Sequence, residues 1–151
     1  MGSRRPRVFL DANVFFSGIA FPKGPPGRIL ELYAAGEIEV VISRQVLEEV
    51  ARTIQAKAPR ALGPFQRLVA AMPPEVEPDP TTEEVARWAQ VINPADTPIL
   101  AAAVRAQPDY LVTGDQHFLD NPAVAEASSL RVVSPGEFIN AFRDRDFFKE
   151  D

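Results

Sequence analysis

Four acidic residues stand where a strand or a helix could hold a carboxylate, and together they could bind one divalent cation. They are Asp11, Glu49, Asp96 and Asp115. Two unit charges about 4 Å apart repel each other by roughly 4 kcal/mol at an effective dielectric constant near 20. Carboxylates that meet therefore either take up a proton or share a hard, oxygen-seeking ion such as Mg²⁺ or Mn²⁺. These residue types favour metal-dependent phosphoryl-transfer chemistry.

Each of these acids also has a simpler interpretation when it is taken alone. An Asp at a strand end, such as Asp11 or Asp115, commonly hydrogen-bonds its own backbone in a turn. Asp96 could cap the helix that follows it. Glu48 and Glu49 both lie about 130° from the centre of their helix's apolar stripe, so helical periodicity does not choose between them.

Short apolar runs of β-forming residues predict the strands, and apolar residues at helical spacing predict helices between them. The four strands fall at residues 7–10, 39–42, 110–113 and 130–133. Residues 18–27 are rich in Gly and Pro and predict a loop. The proline-rich stretch 72–80 allows at most a short edge strand around Val76. This alternation predicts an α/β three-layer sandwich with a mostly parallel sheet.

The carboxyl ends of parallel strands are where such sheets bind ligands. Asp11 directly follows the first predicted strand, and Asp115 follows the strand at 110–113. If these two strands are neighbours, we expect their carboxylates to converge.

The composition is that of a soluble globular protein, with 46% hydrophobic and 25% charged residues. We expect a single domain over residues 1–151, with a core at about 7–140. The absence of cysteine excludes disulfides, thiolate zinc sites and a cysteine nucleophile, and it fits a cytoplasmic location. No apolar run is long enough to span a membrane, and the first residues do not predict a secretory signal.

Charge is unevenly distributed along the chain. Residues 1–67 contain 10 Lys+Arg and 6 Asp+Glu, a balance of +4, and residues 68–151 contain 6 and 15, a balance of −9, which gives the net charge of −5. The best candidates for phosphate contact are basic residues of the first half. They are Arg44, Arg52, Lys57, Arg60 and Arg67.

The acids occur within four segments whose order and spacing resemble a known family. The segments are residues 8–13, 42–50, 93–103 and 110–115. They resemble the PIN-domain nucleases, in particular the toxin-like (VapC-like) branch of prokaryotic toxin–antitoxin pairs. The resemblance implies a sheet of strand order 3-2-1-4-5, one or two Mg²⁺ or Mn²⁺ ions, and endonucleolytic cleavage of RNA that leaves 5′-phosphate and 3′-hydroxyl ends.

The resemblance also implies roles for individual residues. Asp11 and Asp96 would bind the metal directly, Asp115 directly or through water, and Glu49 would orient a water or hold a second ion. Glu49 is preferred to Glu48 because the acid of the family's helix precedes an apolar residue. Asn13 and Thr113 are suited to hydrogen bonds that fix the carboxylates.

His117 departs from the family pattern. Many relatives carry a further acid two residues after the position of Asp115, where this chain has its only histidine. We interpret His117 as a loop residue near the site, with a role as metal ligand or in proton transfer as the alternative. The change bears on a second metal ion and not on the first.

The implied partners are an RNA substrate, a cognate antitoxin and a second copy of the chain in a homodimer. RNA selectivity would lie in loops around residues 15–27 and 60–74. One alternative is a PIN-like binding module with weak or no catalysis, whose interface would use Phe15–Phe16 or the tail 142–148. Another is a phosphoacceptor domain, which the missing lysine after residues 130–133 argues against.

Overall fold

The computed structural model describes residues 5–149, with side chains through Arg145. Five strands form one sheet in which every neighbouring pair is parallel. The strands are β1 (Arg7–Leu10), β2 (Glu39–Ser43), β3 (Glu75–Glu77), β4 (Tyr110–Val112) and β5 (Val132–Val133). Their order across the sheet is β3-β2-β1-β4-β5. The expected parallel sheet and its strand order are confirmed.

Helices connect the strands and cover the sheet. They are α1 (Ala12–Ala20), α2 (Pro25–Ala34), α3 (Arg44–Lys57), α4 (Leu62–Ala71), α5 (Thr82–Trp88), α6 (Thr97–Ala106), α7 (Gln116–Leu119), α8 (Pro122–Ser128) and α9 (Pro135–Lys149). The helices between β1 and β3 pack against one another, and α5 packs against α6. The right-handed crossover that parallel strands almost always adopt puts these two groups of helices on opposite faces of the sheet. The helix α9 packs against α2, so it joins the first face.

The central strands read as continuous apolar runs because helices bury both faces of a parallel sheet. Val8, Phe9 and Leu10 of β1 are fully buried, as are Val41 and Ile42 of β2. The short strand at Val76 lies at the edge, paired with β2, which agrees with its proline-rich flanks.

Two predicted features of local structure are corrected. The predicted loop at 18–27 begins too early, because α1 continues to Ala20 and α2 already begins at Pro25. The segments 15–27 and 60–74 are likewise mainly helical, with loops only at 21–24 and 72–74. Packing of α1 against α2 and α3 outweighs the poor helix propensity of its Asn, Phe and Gly residues.

Ion pairs and a hydrogen bond connect the strands at their amino-terminal ends. Both terminal nitrogens of Arg7 donate to the carboxylate of Glu75 at 2.7 Å, and one lies 3.6 Å from a Glu39 oxygen. The backbone N–H of Arg7 donates to Asp109 Oδ2 at 2.7 Å. Residues from the starts of β1, β2 and β3 and from just before β4 are thus joined.

The interface proposed for the binding-module alternative gains little from the aromatic pair. Phe15 is a core residue whose ring packs edge-on against Tyr33 and Phe65. The side chains of residues 146–148 in the tail lie outside the described part of the chain. Among the residues that the structure describes, no helix is both long enough and apolar enough to cross a bilayer.

Candidate metal centre

Asp11 is delivered to the carboxyl end of the sheet by β1 and is then used to begin α1. Its Oδ1 accepts a hydrogen bond from the N–H of Ala12 at 2.8 Å, which caps the helix. Its Oδ2 accepts from the Thr113 hydroxyl at 2.8 Å and from the Asn13 amide at 3.1 Å. Only 5% of Asp11 is exposed. A buried carboxylate with several donors has a fixed orientation.

Thr113 and Asn13 join the ends of β1 and β4 into one hydrogen-bonded unit. The Thr113 hydroxyl, besides donating to Asp11, accepts from the N–H of Asp115 at 3.0 Å. The Asn13 side-chain oxygen accepts from the N–H of Gly114 at 2.8 Å. A Cβ atom on Gly114 would lie 3.1 Å from that oxygen, so the close approach favours glycine. Both side chains therefore make hydrogen bonds that link the end of β1 to the end of β4.

Asp96 and Asp115 lie together, and His117 lies beside them. His117 Nδ1 is 3.4 Å from Asp96 Oδ2 and 3.2 Å from Asp115 Oδ1. Each of the three residues offers one donor atom, and these atoms all lie within 4.8 Å of one another. Two carboxylate oxygens and an imidazole nitrogen at this spacing can share one ion.

Different interactions hold the two carboxylates. Asp115 caps α7, with Oδ1 accepting from the N–H of His117 at 2.9 Å. Asp96 occupies the cap position of α6 but its side chain makes no capping hydrogen bond. Its Oδ2 instead accepts from the Asn93 amide at 2.7 Å. The interpretation of Asp96 as a plain helix cap is therefore wrong.

Glu49 and Glu48 separate clearly in the structure. Glu48 is exposed and lies 3.5 Å from Arg44 on the solvent side of α3. Glu49 is half-buried and, with Asn13, lines a cleft between α1 and α3. Glu49 is thus the acid that faces Asp11.

The acidic residues of the site raise one another's pKa. Burial raises the pKa of the Asp11 carboxyl, hydrogen bonds from Thr113 and Ala12 oppose this, and the charges of Asp115 and Asp96 raise it further. Burial also raises the pKa of Glu49, with Asp11 and Asp96 acting in the same direction and Arg52 against it. Four acids separated by up to about a hundred residues therefore share one electrostatic environment.

The donor set suits a divalent cation. Carboxylate oxygens are the ligands that Mg²⁺ and Mn²⁺ prefer. An imidazole nitrogen binds transition metals such as iron and zinc. Within the described part of the chain, no Lys or Arg forms an ion pair with Asp11, Asp96 or Asp115. A cation would relieve the mutual repulsion that raises the pKa of Asp11.

Two residues have a larger part in the site than the sequence analysis gives them. His117 lies in α7 and not in a loop, and its imidazole contacts both Asp96 and Asp115. Asn93, which the sequence analysis does not single out, donates to Asp96. Its position three residues before Asp96 was the available signal, because Asn side chains bond locally to groups a few residues away.

The chain matches the family model described as PIN domain over residues 7–117. No curated protein matches it. Among solved structures, VapBC2 from Rickettsia felis bound to a DNA fragment from their promoter is similar at 16% identity and a TM-score of 0.58, covering 85% of this chain and 98% of that chain. PAE2754 from Pyrobaculum aerophilum is similar at 14% identity and a TM-score of 0.65, covering 92% and 90%. The TM-scores show that the fold is shared, and at such low identity the similarity shows the fold alone.

Proposed function

This chain belongs to the PIN domain family, and from that premise we propose that it is a metal-dependent endoribonuclease. The observation that carries the proposal is the grouping of Asp11, Glu49, Asp96 and Asp115 at the carboxyl end of one parallel sheet. Its substrate is RNA, whose phosphodiester bonds are hydrolysed to leave 5′-phosphate and 3′-hydroxyl ends. In the described part of the chain, the donor atoms that lie within 4.8 Å of one another belong to Asp96, Asp115 and His117, and the charges of Asp11 and Glu49 are coupled to this group.

Asp11, Asp96 and Asp115 would hold one Mg²⁺ or Mn²⁺ ion, with Glu49 available to a bound water or a second ion. His117 offers a further donor atom next to Asp96 and Asp115. When bound, such an ion lowers the pKa of a water molecule and stabilises negative charge on phosphate oxygens.

The protein's own contribution is orientation. Thr113 and Asn13 hold the Asp11 carboxylate by hydrogen bonds, so its oxygens do not need to reorganise when substrate binds. Asn93 does the same for Asp96. Glu49, whose pKa is raised by burial and by Asp11, is placed to accept a proton from a water that attacks the phosphate. No nucleophilic side chain is required.

We predict that the protein cleaves a mixed RNA pool in Mg²⁺ or Mn²⁺ and that Asp11→Asn reduces the rate at least about a hundredfold. The reason is that the amide removes a negative charge from the buried centre of the site. The measurement is the rate of product formation on denaturing gels, with RNA end-mapping to identify the termini.

Two controls sharpen this experiment. EDTA should abolish cleavage, and excess Mn²⁺ should restore it. Glu48→Gln is the matched variant, because Glu48 neighbours Glu49 in sequence but faces Arg44 and solvent; it should cleave like the wild type, whereas Glu49→Gln should not. Activity that survives EDTA or Asp11→Asn would refute the mechanism.

We also propose that the protein is the toxin of a toxin–antitoxin pair, acting in the cytoplasm as a homodimer and a single domain. Support comes from the fold that it shares with a chain of the VapBC2 structure. An antitoxin encoded beside it would bind the toxin and block the acidic site. Co-expression with the product of the neighbouring gene should yield a stable complex and suppress RNA cleavage.

The competing function is a PIN-like binding module with a weak site. The hydrogen bonds that organise Asp11 favour the enzyme, because burying a carboxylate is costly and a surface used only for binding does not require it. Calorimetric titration with Mn²⁺ separates the two: saturable binding supports the enzyme, and its absence supports the binding module.

A further inference from the structure

Two clefts lead away from the acidic site along the boundary between α1 and α3. The first, of about 250 Å³, is lined by Ala12, Asn13, Phe16, Glu49, Thr53 and Lys57. The second, of about 500 Å³, runs from α1 to the start of α4, and its lining includes Phe21, Lys57 and Arg60. Because Lys57 lines both, the two clefts are neighbours along α1 and α3. We call the pair of clefts the α1–α3 groove.

The groove changes its charge with distance from the acidic site. Glu49, Thr53 and Lys57 are spaced four residues apart and lie on one side of α3, so Lys57 is about 12 Å along the helix from Glu49. Lys57 and Arg60 are both exposed. Neither forms an ion pair with a carboxylate among residues 5–145, whose side chains the structure describes. Arg44, by contrast, is engaged by Glu48 and Asp79.

The far end of the groove carries an exposed aromatic ring. Phe21 is 66% exposed, and the only other exposed large apolar residue in the described part of the chain is Val76. The Phe16 ring contacts the Phe21 ring edge-on, with centroids 6.3 Å apart. The ring is therefore braced on one side and open to solvent on the rest of its surface.

The backbone that carries Phe21 is closely packed. The N–H of Phe21 donates to the carbonyl of Ser17 at 2.8 Å, which closes α1. Just beyond it, a Cβ atom on Gly27 would lie 1.8 Å from the Pro22 carbonyl oxygen. Residues 21–27 thus pack backbone against backbone, which fixes the backbone position from which the Phe21 side chain extends.

We propose that the α1–α3 groove binds single-stranded RNA. This inference rests on the proposed function and specifies how the substrate is held. Phe21 stacks on a base, while Lys57 and Arg60 contact phosphates a few nucleotides from the bond that is cut. A cationic groove with an aromatic platform is the combination that binds single strands irrespective of sequence. The cations offset the repulsion between RNA and the acidic site.

The charge of the groove favours RNA over an apolar protein segment as its occupant. A segment held only by hydrophobic contact would gain nothing from unpaired Lys57 and Arg60, and it would bury the half-buried carboxylate of Glu49. A single strand satisfies the cations with phosphates and the ring with a base. The groove also leads directly to the residues proposed to cleave the strand.

The test measures binding separately from cleavage. Every variant is made in the Asp11→Asn protein, and its affinity for a labelled single-stranded RNA of about 12 nucleotides is followed by fluorescence anisotropy over a range of salt concentrations. We expect Phe21→Ala to weaken binding about tenfold with no change in the salt dependence. Lys57→Ala and Arg60→Ala should each reduce the slope of log K against log salt by about 0.7.

Matched variants separate stacking from other effects. Phe21→Tyr keeps an aromatic face and should bind like the parent, whereas Phe21→Leu keeps an apolar side chain without that face and should bind as weakly as Phe21→Ala. Val76→Ala removes the other exposed apolar side chain, and Arg87→Ala removes an exposed cation from α5, across the sheet. Both controls should bind like the parent. Thermal melting confirms that each variant is folded.

Unchanged RNA affinity in Phe21→Ala, or an equal loss in the Arg87→Ala control, would overturn the inference. Full affinity in Phe21→Leu would also overturn it, because RNA binding would then not depend on an aromatic face at this position. The proposed function is tested independently by cleavage in Mn²⁺. A protein that binds RNA through Phe21 but does not cleave it contradicts the nuclease and leaves the groove assignment standing.

Discussion

At the scale of single residues, the site depends on one buried carboxylate whose charge is only partly compensated. Asp11 accepts three hydrogen bonds, yet burial and the charges of Asp115 and Asp96 still raise its pKa. Glu49 behaves in the same direction. Both groups therefore bind protons more readily in the folded protein than in the unfolded chain.

This shift has a definite sign in the dependence of stability on pH. Between the unfolded and the folded pKa the native state carries more protons, so stability without metal falls as pH rises. The window begins near the ordinary Asp value of 3.8 and extends upward to the raised value. We predict that the melting temperature of Asp11→Asn relative to wild type increases by a few degrees from about pH 4 to about pH 7.

The measurement is thermal unfolding in EDTA, followed by circular dichroism. Glu126→Gln, which removes an exposed carboxylate from α8, should show no such trend. A constant difference between Asp11→Asn and wild type across this range would contradict the assignment of a raised pKa to Asp11.

At the scale of elements, the connection between α1 and α2 holds two features of the protein in place. Gly18 and Gly27 both lie where a Cβ would collide, Gly18 with Leu30 and the Pro26 carbonyl oxygen at 2.7 Å, and Gly27 with Pro22. These contacts bring α2 against α1, the helix that Asp11 caps. They also fix the position of Phe21.

We predict that Gly27→Ala destabilises the protein by about 1–3 kcal/mol, because the added methyl group forces the two backbones apart. The matched control is Gly136→Ala in α9, where a Cβ would meet nothing within 4 Å. That change should be neutral or slightly stabilising, because alanine favours the helix. Urea denaturation measures both, and equal effects in the two variants would disprove the packing argument.

The elements also show what periodicity reveals and what it misses. Ser43 accepts from the N–H of Val46, and Ser134 forms a capping box with Glu137; both patterns can be recognised in a sequence from residue type and spacing. The helix α1 escaped prediction because its apolar residues include two adjacent phenylalanines and its cap, Asp11, also reads as a turn residue. The helices α7 and α8 are too short for periodicity to identify, so the contact of His117 with Asp96 could not be foreseen.

At the scale of the whole molecule, the fold could be predicted because β and α segments alternate and the sheet is parallel. Which acids meet follows from strand order: β1 and β4 are neighbours, so Asp11 and Asp115 converge. The choice of Glu49 over Glu48 needed the structure or the family resemblance, since both lie at the same angle from the apolar stripe. Distances such as that from Thr113 to Asp11 depend on packing that no sequence pattern specifies.

We predict that metal binding stabilises the entire domain. An ion that binds only the folded state at about 100 times its Kd adds about 2.7 kcal/mol, which corresponds to a rise in Tm of roughly 5–10 °C. Melting with increasing Mn²⁺ should show this rise in the wild type. It should be largely lost when Asp96→Asn and Asp115→Asn are combined, and a full shift in that double variant would place the ion elsewhere.

The two ends of the parallel strands differ in the source of the positive charge that neutralises their acidic residues. At the amino-terminal end, the guanidinium of Arg7 supplies it permanently to Glu75 and Glu39. At the other, the carboxylates depend on whatever the surrounding solution provides. We therefore expect a chelator to increase local opening most at the carboxyl ends of the strands, beside the acidic site. Amide hydrogens following β1 and β4 should then show a larger increase in exchange rate than those around Arg7.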